Sequence, residues 1–209
     1  MIHSEEIRPK EYRKKGNSMS IQEQNTMSAA DALEILREGN RRFCTTEQYD
    51  GDIGFLKRNK TAQNGQHPYA IIISCSDSRV IPECIFQAGI GDLFVIRVAG
   101  NVMDDHQLGS IEYAASHLGV KLIVVLGHEG CGAIEAAIHH DPEGYIKFIT
   151  DEISTAIGDE QDPAKACCLN VRHSIQIIEN SFEIHKEEEH GLQVVGAIYH
   201  LKNGQVEFI

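Results

Sequence analysis

Three side chains that could take part in chemistry stand at alternate positions directly after a short apolar stretch. The stretch is Ala70 to Ile73, and the side chains are Cys75, Asp77 and Arg79. A thiol, a carboxylate and a guanidinium together offer a metal ligand, a hydrogen-bond acceptor and its counter-ion. An unbroken apolar stretch of this length is typical of a strand buried on both faces, and sites in open α/β sheets collect at the carboxyl ends of such strands. These residues are therefore a candidate site.

A second apolar stretch, Lys121 to Gly127, runs into His128 and is followed closely by Cys131. With Cys75, these residues form a Cys2His set, which is the donor chemistry that zinc favours. Three protein ligands leave the fourth tetrahedral position open, as in a catalytic rather than a structural zinc site. The sequence therefore predicts a catalytic zinc, with the carboxylate of Asp77 beside the open position.

Other interpretations of these residues stay open at this point. A buried cysteine taken alone is more often a packing residue than a ligand, and Asp77 with Arg79 would serve equally as a structural ion pair. The glycines at positions 127, 130 and 132 would also permit a phosphate at the start of the next helix, although the GxxxxGK[ST] and GxGxxG motifs are missing. The remaining cysteines and single histidines show no comparable pattern, and we expect packing or surface roles for Cys44, Cys84, Cys167, Cys168, His106, His117, His173, His185, His190 and His200.

The two motifs also carry a family resemblance. Cys-x-Asp-x-Arg at residues 75–79, followed at a distance by His-x-x-Cys at residues 128–131, resembles the signature of the β-class carbonic anhydrases. Three further stretches are similar to that family: GIGDLFVIRVAGNV (Gly89 to Val102), LGSIEYA (Leu108 to Ala114) and VVGAIY (Val194 to Tyr199). The resemblance covers roughly Asp31 to Ile209, although the family often has an aspartate where this chain has His200.

The resemblance implies zinc-dependent, reversible hydration of carbon dioxide to bicarbonate and a proton, by attack of zinc-bound hydroxide on CO2. It implies one zinc per chain, held by Cys75, His128 and Cys131, and a catalytic pair, Asp77 and Arg79, that orients the hydroxide. In some members the aspartate moves onto the metal and closes the site at lower pH, and the sequence leaves this open.

The resemblance also implies that Gln66 binds the substrate, often in the site of the neighbouring subunit, and that the chain forms a homodimer or homotetramer with active sites at the subunit interface. Two alternatives remain: a zinc hydrolase of a CO2-like molecule such as COS or CS2, and a non-catalytic protein that binds zinc or bicarbonate.

The charge and the apolar content of the chain limit the kinds of molecule that it is expected to bind. The chain has 209 residues and a formal net charge of −12, which argues against a nucleic-acid partner because phosphate binding needs a clustered basic face. No apolar stretch approaches the length of a membrane span, and the amino-terminal residues lack the apolar core of a signal peptide, so we expect no membrane partner and a cytoplasmic location. In a reducing compartment, cysteines that share a neighbourhood with a histidine are better interpreted as a metal site than as disulfides.

The pattern of elements predicts an α/β fold: a central, mainly parallel sheet flanked by helices, with a C-terminal β-hairpin at one edge. We expect residues 1–27 to form an N-terminal arm and residues 28–209 a single domain. The capping-box pattern at residues 28–31 predicts a first helix that runs to about residue 42. Residues 45–67 are predicted as a loop with one helical turn at residues 55–60. Asn203 and Gly204 are typical of the hairpin turn.

Overall fold

The computed structural model describes residues 27–139 and 144–209, so the expected arm falls outside it except for Met27. The described residues form one five-stranded sheet, whose strands are β1 (Ala70–Ser74), β2 (Leu93–Arg97), β3 (Leu122–His128), β4 (Gln193–Tyr199) and β5 (Val206–Phe208). The spatial order is β2-β1-β3-β4-β5. The first four strands pair in parallel and β5 is antiparallel to β4, which confirms the predicted sheet and its terminal hairpin.

Eight α-helices accompany the sheet in the described residues. They are α1 (Ala29–Thr45), α2 (Phe55–Asn64), α3 (Pro82–Ile85), α4 (Asp105–Leu118), α5 (Gly132–His139), α6 (Ile146–Ile157), α7 (Pro163–Glu179) and α8 (Phe182–Glu188). A short 3-10 turn, Ala99–Asn101, follows β2. Among the described helices, none has both the length and the apolar character that a bilayer span requires.

Burial on both faces explains why β1 and β3 lack polar alternation. Every residue of both strands is buried. Ala70 and Ile72 of β1 belong to the apolar cluster that includes Leu36 of α1, whereas Ile71 and Ile73 belong to the cluster on the opposite face, with residues of α4, α7 and α8. Each successive side chain of a strand points to the other face, so a continuous apolar stretch is what two covering layers require.

The helices differ from the predicted ones where local signals are weak. α1 begins as predicted, because the Asp31 N–H donates to the Ser28 Oγ at 3.1 Å, and it runs on to Thr45. The prediction of a single turn at residues 55–60 is wrong, since α2 spans ten residues with none of them buried and therefore has no inward-facing apolar stripe to detect. α8 was not predicted, and Ile184 is its one buried residue among charged neighbours.

A close backbone contact between α1 and the residue after α3 leaves no room for a side chain at one helical glycine. Gly39 is buried in α1, and a Cβ placed there would overlap the carbonyl oxygen of Phe86. Gly109 in α4 offers the opposite case, because a Cβ there meets no atom within 4 Å.

We therefore expect Gly39→Ala and Gly109→Ala to have opposite effects on the free energy of unfolding. Overlap with backbone atoms should make Gly39→Ala destabilising by about 1–3 kcal/mol. Gly109→Ala should stabilise by about 0.5–1 kcal/mol, because alanine loses less backbone entropy in a helix than glycine. Urea unfolding of both variants and the wild type measures this difference, and equal effects would contradict the packing described here.

Candidate metal centre

The carboxyl ends of two neighbouring strands bring together the three predicted metal ligands. Cys75 directly follows β1, His128 ends β3, and Cys131 precedes α5 after a turn in which Gly130 has φ of +60°. All three side chains are buried, and their ligand atoms lie within 4.8 Å of one another. The pairing of Ser74 with Leu126 in the parallel ladder sets this proximity, since Cys75 lies one residue beyond Ser74 and His128 two residues beyond Leu126.

His128 has one ring nitrogen engaged and the other without a partner. Its Nδ1 lies 2.9 Å from the carbonyl oxygen of Glu129, so Nδ1 carries the proton and donates it. The Nε2 atom is buried and has no hydrogen-bond partner among the described residues. A buried nitrogen lone pair of this kind is costly unless it binds something, and a metal ion within the cluster would satisfy it.

The two thiols are close enough to share one proton. Cys75 Sγ and Cys131 Sγ are 4.0 Å apart. The hydrogen bond from Cys131 lowers the pKa of Cys75 well below its ordinary value, with further support from the backbone N–H groups of Asp77 and Gly100. The same hydrogen bond, together with burial, raises the pKa of Cys131 far above its ordinary value. Both sulfurs can therefore be thiolates only beside a cation.

The sulfur separation also fits zinc. Two sulfurs bound to one tetrahedral zinc at the usual bond length lie about 3.8 Å apart, close to the separation observed here. Together with the free nitrogen of His128, the cluster has the donor types, number and spacing of a three-ligand zinc site.

Asp77 and Arg79 form a two-point ion pair at the edge of the cluster. Arg79 Nε donates to Asp77 Oδ1 at 2.9 Å, and Nη2 donates to Oδ2 at 2.6 Å. The Arg79 guanidinium thereby holds the pKa of the Asp77 carboxyl well below its usual range. Nη2 also donates to the carbonyl oxygen of Gly130 at 3.2 Å, which ties the pair to the loop between His128 and Cys131.

Arg97 is a residue of the site that the sequence analysis did not single out. It ends β2 in register with Ser74, and it donates to the carbonyl oxygens of Cys75 at 3.1 Å and Asp77 at 2.7 Å. A cationic residue at the carboxyl end of a strand next to β1 was the signal that could have identified it. Arg97 fixes the backbone between the first ligand and the carboxylate.

Similarity to known proteins agrees with this geometry. The sequence profile of the family "Carbonic anhydrase" matches residues 70–206. A carbonic anhydrase of Mycolicibacterium smegmatis is 36% identical over 84% of this chain and 91% of its own length. The crystal structure of the β-carbonic anhydrase CafA of Aspergillus fumigatus superposes with a TM-score of 0.69 at 28% identity, over 74% of this chain and 81% of that one.

The chain belongs to the β-class carbonic anhydrases. A crystal structure of a β-class enzyme of Sordaria macrospora, described as tetrameric, is similar at 30% identity with a TM-score of 0.63, over 74% of this chain and 91% of that one.

Gln66, which the likeness to β-class carbonic anhydrases singled out for substrate binding, lies away from the metal centre of its own chain. It is exposed, and no hydrogen bond joins it to Cys75, His128 or Cys131 within the described residues. It precedes the amino end of β1, whereas the cluster follows the carboxyl end, and the strand from Ala70 to Cys75 alone covers about 16 Å. The structure of a single chain therefore brings five of the six predicted site residues together, but not Gln66.

His200 contacts the loop between the two ligands of the second motif. It directly follows β4, and its Nδ1 lies 2.7 Å from Glu129 Oε1, in the loop that carries two of the ligands. Its Nε2 lies 3.4 Å from Glu207 Oε2. The hydrogen bond with Glu129 raises the pKa of His200 and lowers that of Glu129. The sequence analysis gave no sign of this contact, because the two partners are 71 residues apart in the chain.

We expect Glu129→Gln to lower the pKa of His200, because the substitution removes the nearer negative charge. Since this pKa is raised in the folded state, the contact stabilises the protein below about pH 6.5, and that contribution is lost as the pH rises through the folded value. An NMR pH titration of the His200 ring, assigned with His200→Asn, measures the change. Glu207→Gln should have a smaller effect and Glu183→Gln, on distant α8, none; a larger effect of Glu207→Gln would contradict the observed geometry.

Proposed function

We propose that this chain catalyses the reversible hydration of carbon dioxide to bicarbonate and a proton, with one zinc held by Cys75, His128 and Cys131. The observation that carries the proposal is a buried Cys2His cluster with an aligned Asp77–Arg79 pair at its edge, in a chain of the β-class carbonic anhydrase family. Membership of the family makes this the expected activity.

Zinc bound to these three ligands would supply a Lewis acid that makes a water molecule nucleophilic near neutral pH. The protein's part is to orient that water and the substrate. Asp77 stays ionised beside Arg79 and can accept a hydrogen bond from the water, which directs an oxygen lone pair toward carbon dioxide. Arg79 and Arg97 prevent the carboxylate and its backbone from moving, because each holds the Asp77 segment at two points.

The far side of the cluster is apolar, which suits a substrate without charge. Cys75 and Cys131 pack among buried aliphatic side chains of the turn after β2 and of helices α5, α6 and α7: Val102, Ile134, Ala137, Ile138, Ile153, Ile157 and Ala166. This packing keeps bulk water away from the thiolates and strengthens their electrostatic interactions with a cation.

We expect Asp77→Asn to lower carbon dioxide hydration about 10- to 100-fold, the effect typical of groups that orient a metal site, while zinc stays near one per chain. Stopped-flow hydration from pH 7 to 9 on zinc-quantified protein measures this. Asp151→Asn is the matched control, because Asp151 forms an exposed ion pair with Lys147 on α6 that involves none of the site residues. Full zinc without hydration in the wild type would overturn the proposal.

The same assay separates the alternatives. Turnover of COS or CS2 in preference to carbon dioxide would assign the zinc-hydrolase function, and no turnover of any of them would assign a non-catalytic zinc or bicarbonate protein. The intact Asp77–Arg79 pair supports an enzyme over a binding protein.

We further propose that the chain works as a homodimer or homotetramer in which Gln66 serves the site of a neighbouring subunit. Two observations support this: Gln66 and the metal cluster lie beyond opposite ends of β1, and the related Sordaria enzyme is described as tetrameric. A cytoplasmic location stays a prediction.

Mixed oligomers of Gln66→Ala and Asp77→Asn chains test this arrangement. If Gln66 acts across the interface, a heterodimer contains one complete site, with Asp77 from one chain and Gln66 from the other, and hydration rises above that of either parent. If Gln66 acts within its own chain, the heterodimer contains no complete site and activity stays at the mean of the parents. Co-expression with two affinity tags yields the heterodimer for stopped-flow measurement.

A further inference from the structure

Two buried polar side chains of α7 contact the turn that follows β2. Asn170 Nδ2 donates to the carbonyl oxygen of Gly100 at 2.8 Å, and Ser174 Oγ donates to that of Asn101 at 3.1 Å. The exposed fractions of Asn170 and Ser174 are 1% and 2%. The two donors stand four positions apart and therefore project from the same face of the helix.

The turn that they hold has an unusual backbone. Gly100 has φ of +67°, and the next residue, Asn101, has φ of +47°. A side chain other than glycine is uncommon in this left-handed region and persists there when its surroundings impose it. Both residues are buried, so each carbonyl oxygen needs a partner within the protein, and α7 provides both partners.

The turn in this conformation presents a backbone donor to the first metal ligand. The Gly100 N–H donates to Cys75 Sγ at 3.3 Å, next to the Asp77 N–H at 3.4 Å. Hydrogen bonds from N–H groups stabilise a thiolate and hold it in the position from which it binds a metal. A continuous path therefore runs from the side chain of Asn170, through the backbone of Gly100, to the sulfur of Cys75.

We propose that Asn170 and Ser174 are positioning residues of the metal centre, which act through the Ala99–Asn101 turn to set the strength of the Gly100 N–H bond to Cys75. The inference rests on the proposed zinc site and extends it to a helix outside both motifs. Without the α7 donors, the turn would relax, the N–H would leave the sulfur, and the metal would be held less firmly.

The proposal is tested with Asn170→Ala and Ser174→Ala, with Asn40→Ala as the matched control. Asn40 is also buried, and its amide joins α1 to the terminal hairpin through the carbonyl oxygen of Gly204 at 2.8 Å, away from the metal centre. The measurements are the rate of zinc release to a chromogenic chelator, the sulfur-to-metal charge-transfer absorption of the cobalt(II)-loaded protein, and urea unfolding.

We expect Asn170→Ala to release zinc about 10- to 100-fold faster than the wild type, because the loss of a group that holds a metal ligand in place typically has an effect of this size. The release rate of Ser174→Ala should lie between those of the wild type and Asn170→Ala. The charge-transfer band of both variants should shift, because Cys75 loses a hydrogen bond. Asn40→Ala should lose stability with unchanged zinc release and an unchanged band. Ser174→Ala is the smaller deletion and decides the outcome if Asn170→Ala does not fold.

Unchanged zinc release and an unchanged band in a folded Asn170→Ala or Ser174→Ala would overturn the positioning role and leave these residues as supports of α7 alone. Failure of the wild-type chain to bind either ion would instead overturn the metal site, and the positioning role with it. The two failures are therefore distinct.

Discussion

Two thiols 4.0 Å apart in a buried cluster cannot both ionise without a cation, and the surrounding structure is organised around that constraint. Cys75 receives two backbone N–H groups, which favour its thiolate. The hydrogen bond with Cys75 and burial raise the pKa of Cys131, and they outweigh the backbone N–H groups of Ile134 and Ala133, which act in the opposite direction. His128 completes the cluster with an unpaired buried nitrogen. A divalent cation would neutralise the two thiolates and satisfy that nitrogen at once, which is why these three residues are better explained as a metal site than as packing.

The parallel sheet makes this cluster possible, because each of the four parallel strands places a polar residue at the edge where their carboxyl ends lie. Cys75 follows β1, His128 ends β3, Arg97 ends β2 and His200 follows β4. Two of them contact the segment beyond a neighbouring strand: Arg97 binds the backbone after β1, and His200 binds Glu129 after β3. The register of the ladder thus positions both the ligands and the groups that restrain them.

Sequence reasoning succeeded where one short stretch carries the whole signal. The buried strands and their following residues, including Cys75 and Asp77, are local patterns, and so is the hairpin turn at residues 203–204. Sequence reasoning failed where a residue's contact partner is distant in the chain. The amide of Asn170 meets Gly100, 70 residues away, and nothing near Asn170 in the chain marks this contact. α8, with a single buried residue, is too brief to show an apolar period.

The length of α2 was underestimated for a reason that bears on the proposed assembly. Its apolar side chains point outward in the single chain: Phe55 is 66% exposed and Leu56 is 80% exposed. Gln66 follows directly after the C-cap of this helix, Gly65. Two exposed apolar side chains close to Gln66 are what a neighbouring subunit would cover, since burying Phe55 and Leu56 would favour association while it brought Gln66 to a second site. The packing of a single chain does not explain why α2 carries exposed apolar side chains. Under this proposal, those side chains pack against another chain.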